Sequence, residues 1–307
     1  MLLRQAAAEA AGGQHYPAGA LYVVATPIGN LADLTLRAIH VLGLVDAIAC
    51  EDTRHSAGLL RQLGLEGRAL LALHAHNERA ASAAVVARLA RGERVACITD
   101  AGTPGVSDPG ATLVATVQAA GHRTVPVPGA SSAVAALSVA GDESTEGFRF
   151  VGFLPARGGE RDRALARIAA DPGTTVLFEA PHRIVALATA LADRCGPRRV
   201  TLGRELTKQF ETVETLAAQD LPGWLGADAN RARGEFALVL HGAARAADRP
   251  GDDAGAEHDA LLRTLLAALP LKQAVAVAVE LSGAARNALY ARALALQRPK
   301  QDEVPEP

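Results

Sequence analysis

Apolar residues along the chain gather into short runs separated by longer stretches of mixed character. LYVVA at 21–25, AIAC at Ala47–Cys50, LLAL at 70–73, VACI at Val95–Ile98 and TVPV at 124–127 have the length and branching of buried strands. Between them lie segments with helical spacing, such as 31–42, where Leu34, Ile39 and Leu42 recur, the helix after EDTR that runs to Leu63, and the helix from Asn77 to Arg91. Strands alternating with helices predict an α/β fold with a parallel, doubly wound N-terminal sheet over 21–140. The pattern resets near Gly141. Strands at 149–153, 175–179, 200–205 and 235–241, helices at 161–170 and Ile184–Cys195, and a segment at 212–215 suited to antiparallel pairing predict a second α/β domain with a mixed sheet over 141–242.

The ends of the chain read differently. Residues 1–20 predict a disordered lead. Residues 243–256 (AARAADRPGDDAGA) have linker composition. A small C-terminal helical segment follows at 257–298, with Pro270 and Gly283 as breaks, and a frayed tail at 299–307.

Every strand of the first half opens into Gly, Pro and polar residues: TPIGN, EDTR, HAHN, DAGTPGVSDPG and PGASS. Parallel topology puts all five on one rim, where open α/β sheets bind ligands. The longest of them, 100–110, holds Gly102, Gly105 and Gly110 with Pro104 and Pro109, so it can neither extend the strand nor start a helix early. Structureless loops of that length are uncommon unless they serve a function.

Composition narrows the classes. A formal charge of −2 rules out a wholesale basic surface, so contacts to nucleic acid must come from local patches. Cys50, Cys97 and Cys195 are widely spaced and form no CxxC pair, which fits reduced thiols and neither a disulfide framework nor a zinc site. No apolar run approaches a membrane span, and the expected location is the cytoplasm.

Several familiar motifs are missing. TPIGN has one glycine where a dinucleotide fingerprint needs three, and no phosphate loop ending GK[ST] occurs. PGASSA resembles a nucleophile elbow but places Ala133 where GxSxG requires glycine, which argues against a serine hydrolase. Gly129, Ser131 and Ser132 read better as a turn and helix N-cap with N–H groups open to a ligand carboxylate. His74 and His76 lack a third ligand at recognised spacing, so a hydrogen-bonding role is expected and no metal.

TPIGNLADLTLRA, EDTRH, LHAHNE, DAGTPGVSDPG, VPGASSA, GFLP, FEAPHR and RELTK occur in this order across 21–241. Together they resemble the tetrapyrrole methylase superfamily, and LKQAVAVAVELSGAARNALYARAL at 271–294 is similar to the extra helical segment of its ribosomal branch. The resemblance implies S-adenosylmethionine as cofactor, 2′-O-methylation of a decoding-region cytidine in 16S rRNA, the small ribosomal subunit as partner, and a homodimer. It implies cofactor contacts from Pro27, from Asp100, Gly102, Thr103, Pro104, Gly105, Val106, Ser107 and Asp108, from Gly129 and Ser132, and from Phe178 and Leu206. For RNA it points to Arg54, Arg157, Arg161, Arg183, Arg204 and Lys208. Glu51, Asp52, His76, Glu205 and Lys208 are the candidates for catalysis, undivided by sequence. Two rivals stand beside this reading: a methylase of a corrinoid precursor, and a ribosome-binding relative without catalysis.

Overall fold

The structure is a computed structural model that describes residues 2–74, 77–143, 147–243 and 258–297. It begins with a helix, α1 (Leu2–Ala11), where a disordered lead was expected. The segment QAAAEAA is rich in the best helix former, and its small side chains let α1 lie close against the next helix, with Ala7 and Ala11 buried.

The first sheet contains β1 (Ala20–Val24), β2 (Ala47–Cys50), β3 (Ala69–Ala72), β4 (Val95–Ile98) and β5 (Arg123–Val127). All pairings are parallel, in the order β3-β2-β4-β1-β5. The connecting helices are α2 (Leu36–Leu44), α3 (Thr53–Gln62), α4 (Glu78–Ala90) and α5 (Ala111–Ala119). Period-two alternation along β1 sorts them onto two faces. Tyr22 and Val24 pack with Ile39, Leu42 and Leu60 of α2 and α3, while Leu21 packs with Val85, Leu89, Leu113 and Val117 of α4 and α5.

Two local expectations shift. The helix foreseen at 31–42 is divided, because Asn30 and Thr35 each offer a capping oxygen. Asn30 caps a single 3₁₀ turn at Leu31–Asp33, and Thr35 starts α2 by accepting from the Ala38 amide at 3.1 Å. Asn77 does not cap α4. Its side chain accepts from the His74 amide at 2.8 Å and donates to the Ala72 carbonyl at 3.0 Å, closing the loop that leaves β3.

The helix α6 (Ser132–Ala140) ends at Gly141 in a left-handed conformation and hands the chain to the second sheet. That sheet holds β6 (Phe148–Phe153), β7 (Thr174–Glu179), β8 (Arg199–Arg204), β9 (Thr212–Ala217) and β10 (Phe236–Leu240) in the order β6-β7-β10-β8-β9. Only β6 and β7 run parallel, so the sheet is mixed. The last strand inserts at the centre, which is why all its residues are buried. The helices α7 (Gly159–Ala170), α8 (Ile184–Cys195) and α9 (Leu221–Gly226) cover one face, and α6 packs Ala133, Ala136 and Ala140 on the other against Val176 and Val239. Both sheets therefore belong to one compact unit, Met1–Gly242.

The second unit, Ala243–Pro307, holds α10 (Asp259–Ala268), α11 (Leu271–Ser282) and α12 (Arg286–Gln297) around Leu262, Val275, Ala278, Leu289 and Ala293. Arg292 makes a two-pronged ion pair to Asp259 at 2.7 and 2.9 Å, and that contact holds the Asp259 carboxyl below its usual range. The linker and tail read from sequence at 243–256 and 299–307 lie, except for Ala243, outside the described residues.

Arg198, one of a run of basic residues that would ordinarily be solvated, turns inward. Its guanidinium donates to the carbonyls of His241 at 2.6 Å, Asp171 at 2.7 Å and Gly173 at 2.7 Å, closing the end of the second sheet away from the rim loops. Truncation leaves three acceptors without their donor. Arg198→Ala is expected to lose roughly 2–3 kcal/mol, a fall of about 5–10 °C in a thermal scan; an unchanged midpoint would show that water serves those carbonyls as well.

Candidate active site

The site is assembled beyond the ends of the strands. Thr26 and Gly102 exchange backbone hydrogen bonds of 2.9 and 3.2 Å, a bridge outside either sheet. The Thr26 hydroxyl adds a bond to the Thr99 carbonyl at 2.9 Å, and the Thr103 hydroxyl reaches the Ala130 carbonyl at 3.1 Å. The loops after β1, β4 and β5 are thus tied into one surface. Gly102 has φ +87°, and a Cβ there would sit 3.3 Å from Ile28, so the bridge requires glycine twice over. Glu78 on α4 anchors the far end of the long loop, accepting from the amides of Gly110 at 2.9 Å and Thr112 at 3.1 Å where α5 begins.

A cavity of about 320 Å³ opens between this surface and the second sheet. Gly102, Thr103, Val106, Ser107 and Asp108 form one wall, with Ser131 and Ser132 at the start of α6. Opposite are Phe153, Phe178, Glu179, Gly203, Leu206 and Phe236. The Phe178 ring is held edge-on by Phe150 and Phe153, with centroids 5.1 and 5.6 Å away. Asp108 is pushed up to about 6 by burial and by the neighbouring charges of Glu51 and Asp100.

A second cavity of about 480 Å³ adjoins it, lined by Pro27, Gly29 and Leu31, by Arg54, His55, Gly58, Leu59 and Gln62 on α3, and by Asp100 and Lys208. Ile28, Ala101 and Glu235 line both. At this junction the Lys208 ammonium sits 3.0 Å from Glu205 and 2.9 Å from Glu235. Burial alone would lower the Lys208 pKa, but the two carboxylates outweigh it and raise it. Burial likewise works to raise Glu205, and the Glu235 amide and Lys208 prevail and hold it below its usual value. Glu205 at φ +51° and Thr207 at φ +68° are non-glycine residues in the left-handed region, a local strain retained where the chain turns between the cavities.

The sequence-predicted residues distribute as follows. Gly102, Thr103, Val106, Ser107, Asp108, Ser132, Phe178 and Leu206 line the first cavity, while Pro27 and Asp100 line the second. Pro104, Gly105 and Gly129 line neither. Gly105 closes the loop through its amide on Pro109, Pro104 packs near Gly110, and Gly129 lets the backbone pass Ala25, whose Cβ a side chain there would approach to 2.9 Å. Of the catalytic candidates, Glu51 accepts from the Thr99 hydroxyl at 3.2 Å. Asp52 caps α3 and pairs with Arg54, which brings its carboxyl down to about 2. His76 lies outside the described residues.

Among the arginines, Arg54 lines the second cavity and Arg157 is exposed. Arg161 and Arg183 instead close on the buried carboxylate of Glu179, at 2.8 and 2.6 Å. Arg204 donates to the carbonyls of Arg233 at 2.6 Å and Phe210 at 3.0 Å. Sequence reasoning passed over Glu235, Glu179, His55, Gly58 and Gln62. Glu235 had one visible signal, an acidic residue entering a wholly apolar strand just after Gly234.

Residues 20–222 match the family of Tetrapyrrole (Corrin/Porphyrin) Methylases, and residues 252–297 match the RsmI C-terminal HTH domain. The chain belongs to the tetrapyrrole methylases. Curated relatives include ribosomal RNA small subunit methyltransferase I of Pseudomonas aeruginosa, 46% identical over 281 residues covering 91% of this chain and 98% of that protein. The protein of the same name from Escherichia coli O157:H7 is 45% identical, covering 91% and 96%. Among solved structures, the methyltransferase CobJ superposes with a TM-score of 0.56 at 19% identity, covering 76% of this chain and 96% of CobJ. The cobalt precorrin-4 methyltransferase CbiF gives 0.53 at 19%, covering 74% and 98%. These likenesses show the shared fold. The chain is a methyltransferase.

The folded protein binds a proton at Asp108 more tightly than the unfolded chain does, so ionising it between about pH 4 and 6 costs stability. Asp108→Asn removes that cost. The variant should melt above the parent at neutral pH, with the gap closing below about pH 4; a gap independent of pH would contradict this account.

Proposed function

We propose that this tetrapyrrole methylase transfers the methyl group of S-adenosylmethionine to the ribose 2′-oxygen of a decoding-region cytidine in 16S rRNA of the small ribosomal subunit, acting in the cytoplasm as a homodimer. The observation that carries the reading is the division of the chain into two units. CobJ and CbiF are matched over nearly their whole length yet cover only 76% and 74% of this chain. The relatives named for small-subunit ribosomal RNA cover 91% of it, and the helical unit beyond 242 has its own family match. A corrinoid-modifying role leaves that second unit without a use.

The first cavity suits S-adenosylmethionine chemically. Phe178 and Leu206 offer an apolar wall for a purine, the Gly102–Ser107 backbone and the amides starting α6 offer donors, and Asp108 offers negative charge toward a cation. When bound, that cofactor supplies a methyl group already activated by its positive sulfur. The chain's own task is then to hold the 2′-oxygen in line, which positioning can reward by roughly 7–11 kcal/mol, and to take up its proton. Glu235 faces both cavities and is oriented by Lys208, so its carboxylate is placed to accept the proton while the ammonium steadies the developing negative oxygen.

With a net charge of −2 and five of the six candidate arginines and lysines engaged by protein acceptors, naked RNA is a poor target. The assembled subunit is the better one. Val134 and Val139 on α6 and Phe148 on the edge strand β6 expose apolar surface that suits a second copy. Among the described residues no helix is long and apolar enough to cross a membrane.

Labelled methyl transfer to small subunits lacking the modification tests the reading. The expected product is a single cytidine whose 3′ linkage resists alkali, formed faster on intact subunits than on free RNA. Glu235→Gln should lower kcat by about 100-fold with cofactor affinity unchanged. No label despite cofactor binding would sink the assignment.

A further inference from the structure

The second cavity is the larger of the two, is walled mainly by α3 with Pro27 and Asp100, and shares Ile28, Ala101 and Glu235 with the first. A group seated in it would present its nearest atoms at the junction where Lys208 holds Glu235. Its walls are of two kinds. Ile28, Leu31 and Leu59 provide apolar surface, and Leu31 is 37% exposed. Arg54, His55 and Gln62 provide polar tips. The side chains of His55 and Gln62 make no hydrogen bond among the described residues, and the Arg54 side chain is 90% exposed at the outer end.

The helix α3 explains the shape. Arg54, Gly58 and Gln62 recur every fourth residue, so they share one face, and that face lines the cavity. At its middle is a glycine, a residue that weakens a helix interior. A Cβ built on Gly58 meets nothing within 4 Å, so no neighbouring backbone demands glycine there. Its missing side chain leaves a notch open to the cavity.

Resting on the proposed function, we infer that this second cavity is the pocket for the target nucleoside, drawn out of its stack: the base lies in the Gly58 notch against Leu31 and Leu59, and Gln62 and His55 meet its polar edge. A pyrimidine of the cytosine type presents both acceptors and an exocyclic amine donor, which a carboxamide and an imidazole can match together. The ribose then points to the shared wall, and Arg54 at the mouth meets a flanking phosphate. Such a pocket selects one nucleotide of a structured RNA and fixes its ribose against the reacting group.

Gly58→Leu fills the notch with a good helix former at a position that lines only the second cavity. The folded full-length variant should bind S-adenosylhomocysteine in calorimetry as the parent does and melt no lower. Its kcat/KM on unmodified small subunits should fall by at least on the order of 100-fold. Gln62→Ala should raise the KM for subunits more than it lowers kcat. Parental transfer by Gly58→Leu would overturn the pocket and leave the proposed function standing. Loss of S-adenosylhomocysteine binding in Gly58→Leu would also overturn it, since the cavities would then not be separate sites. A parent chain inert on small subunits would overturn both readings.

Discussion

Two backbone hydrogen bonds between Thr26 and Gly102 hold the site together. They lie beyond the last paired residues of β1 and β4, where a sheet ordinarily gives way to independent loops. Through them the turn after β1 and the long glycine-rich loop are joined, and the Thr103 hydroxyl extends the connection to the turn before α6. The cost of ordering so many loop residues is offset in part by backbone bonds such as Gly105 to Pro109 and Val106 to Thr103. Gly102 makes this possible. Any side chain there would oppose both the backbone conformation and the close approach of Ile28.

The other half of the cleft depends on a different constraint. The helix α6 ends the first βα succession but packs its alanine face on the second sheet, so one element belongs to both layers. The turn from Glu205 to Lys208 is then pressed against the first layer. Gly29 leaves no space between its own Cα and Lys208, since a Cβ would come within 2.4 Å of the lysine chain. Steric fit places the ammonium, and the carboxylates of Glu205 and Glu235 fix its direction. The left-handed conformations at Glu205 and Thr207 are maintained because the paired strands β8 and β9 hold the turn's two ends.

The sheet was legible in the sequence because each buried strand is a short apolar run ended by glycine, proline or a polar residue, and β2 and β4 have the bounds read from it. The rim was legible for the same reason. Divisions finer than hydrophobic periodicity were not. The break between Leu34 and α2 depends on two capping oxygens inside an apolar pattern, and α1 depends on alanines that could equally belong to a disordered end. Basic residues were the least readable. Arg161, Arg183, Arg198 and Arg204 look like surface charge in sequence, and only the fold reveals the carbonyls and the Glu179 carboxylate that receive them. Glu235 showed only as an acidic residue at the entry to an apolar strand, because its importance arises from β10 entering the middle of the sheet, a long-range event.

Three residues common to two cavities have a thermodynamic consequence. An occupant of either cavity borders the same Ile28, Ala101 and Glu235. Any factor by which an occupant of the first changes affinity for an occupant of the second applies equally in reverse. Glu235, paired with Lys208, is the charged residue common to both linings, so the charge state of one carboxylate enters the chemistry of both.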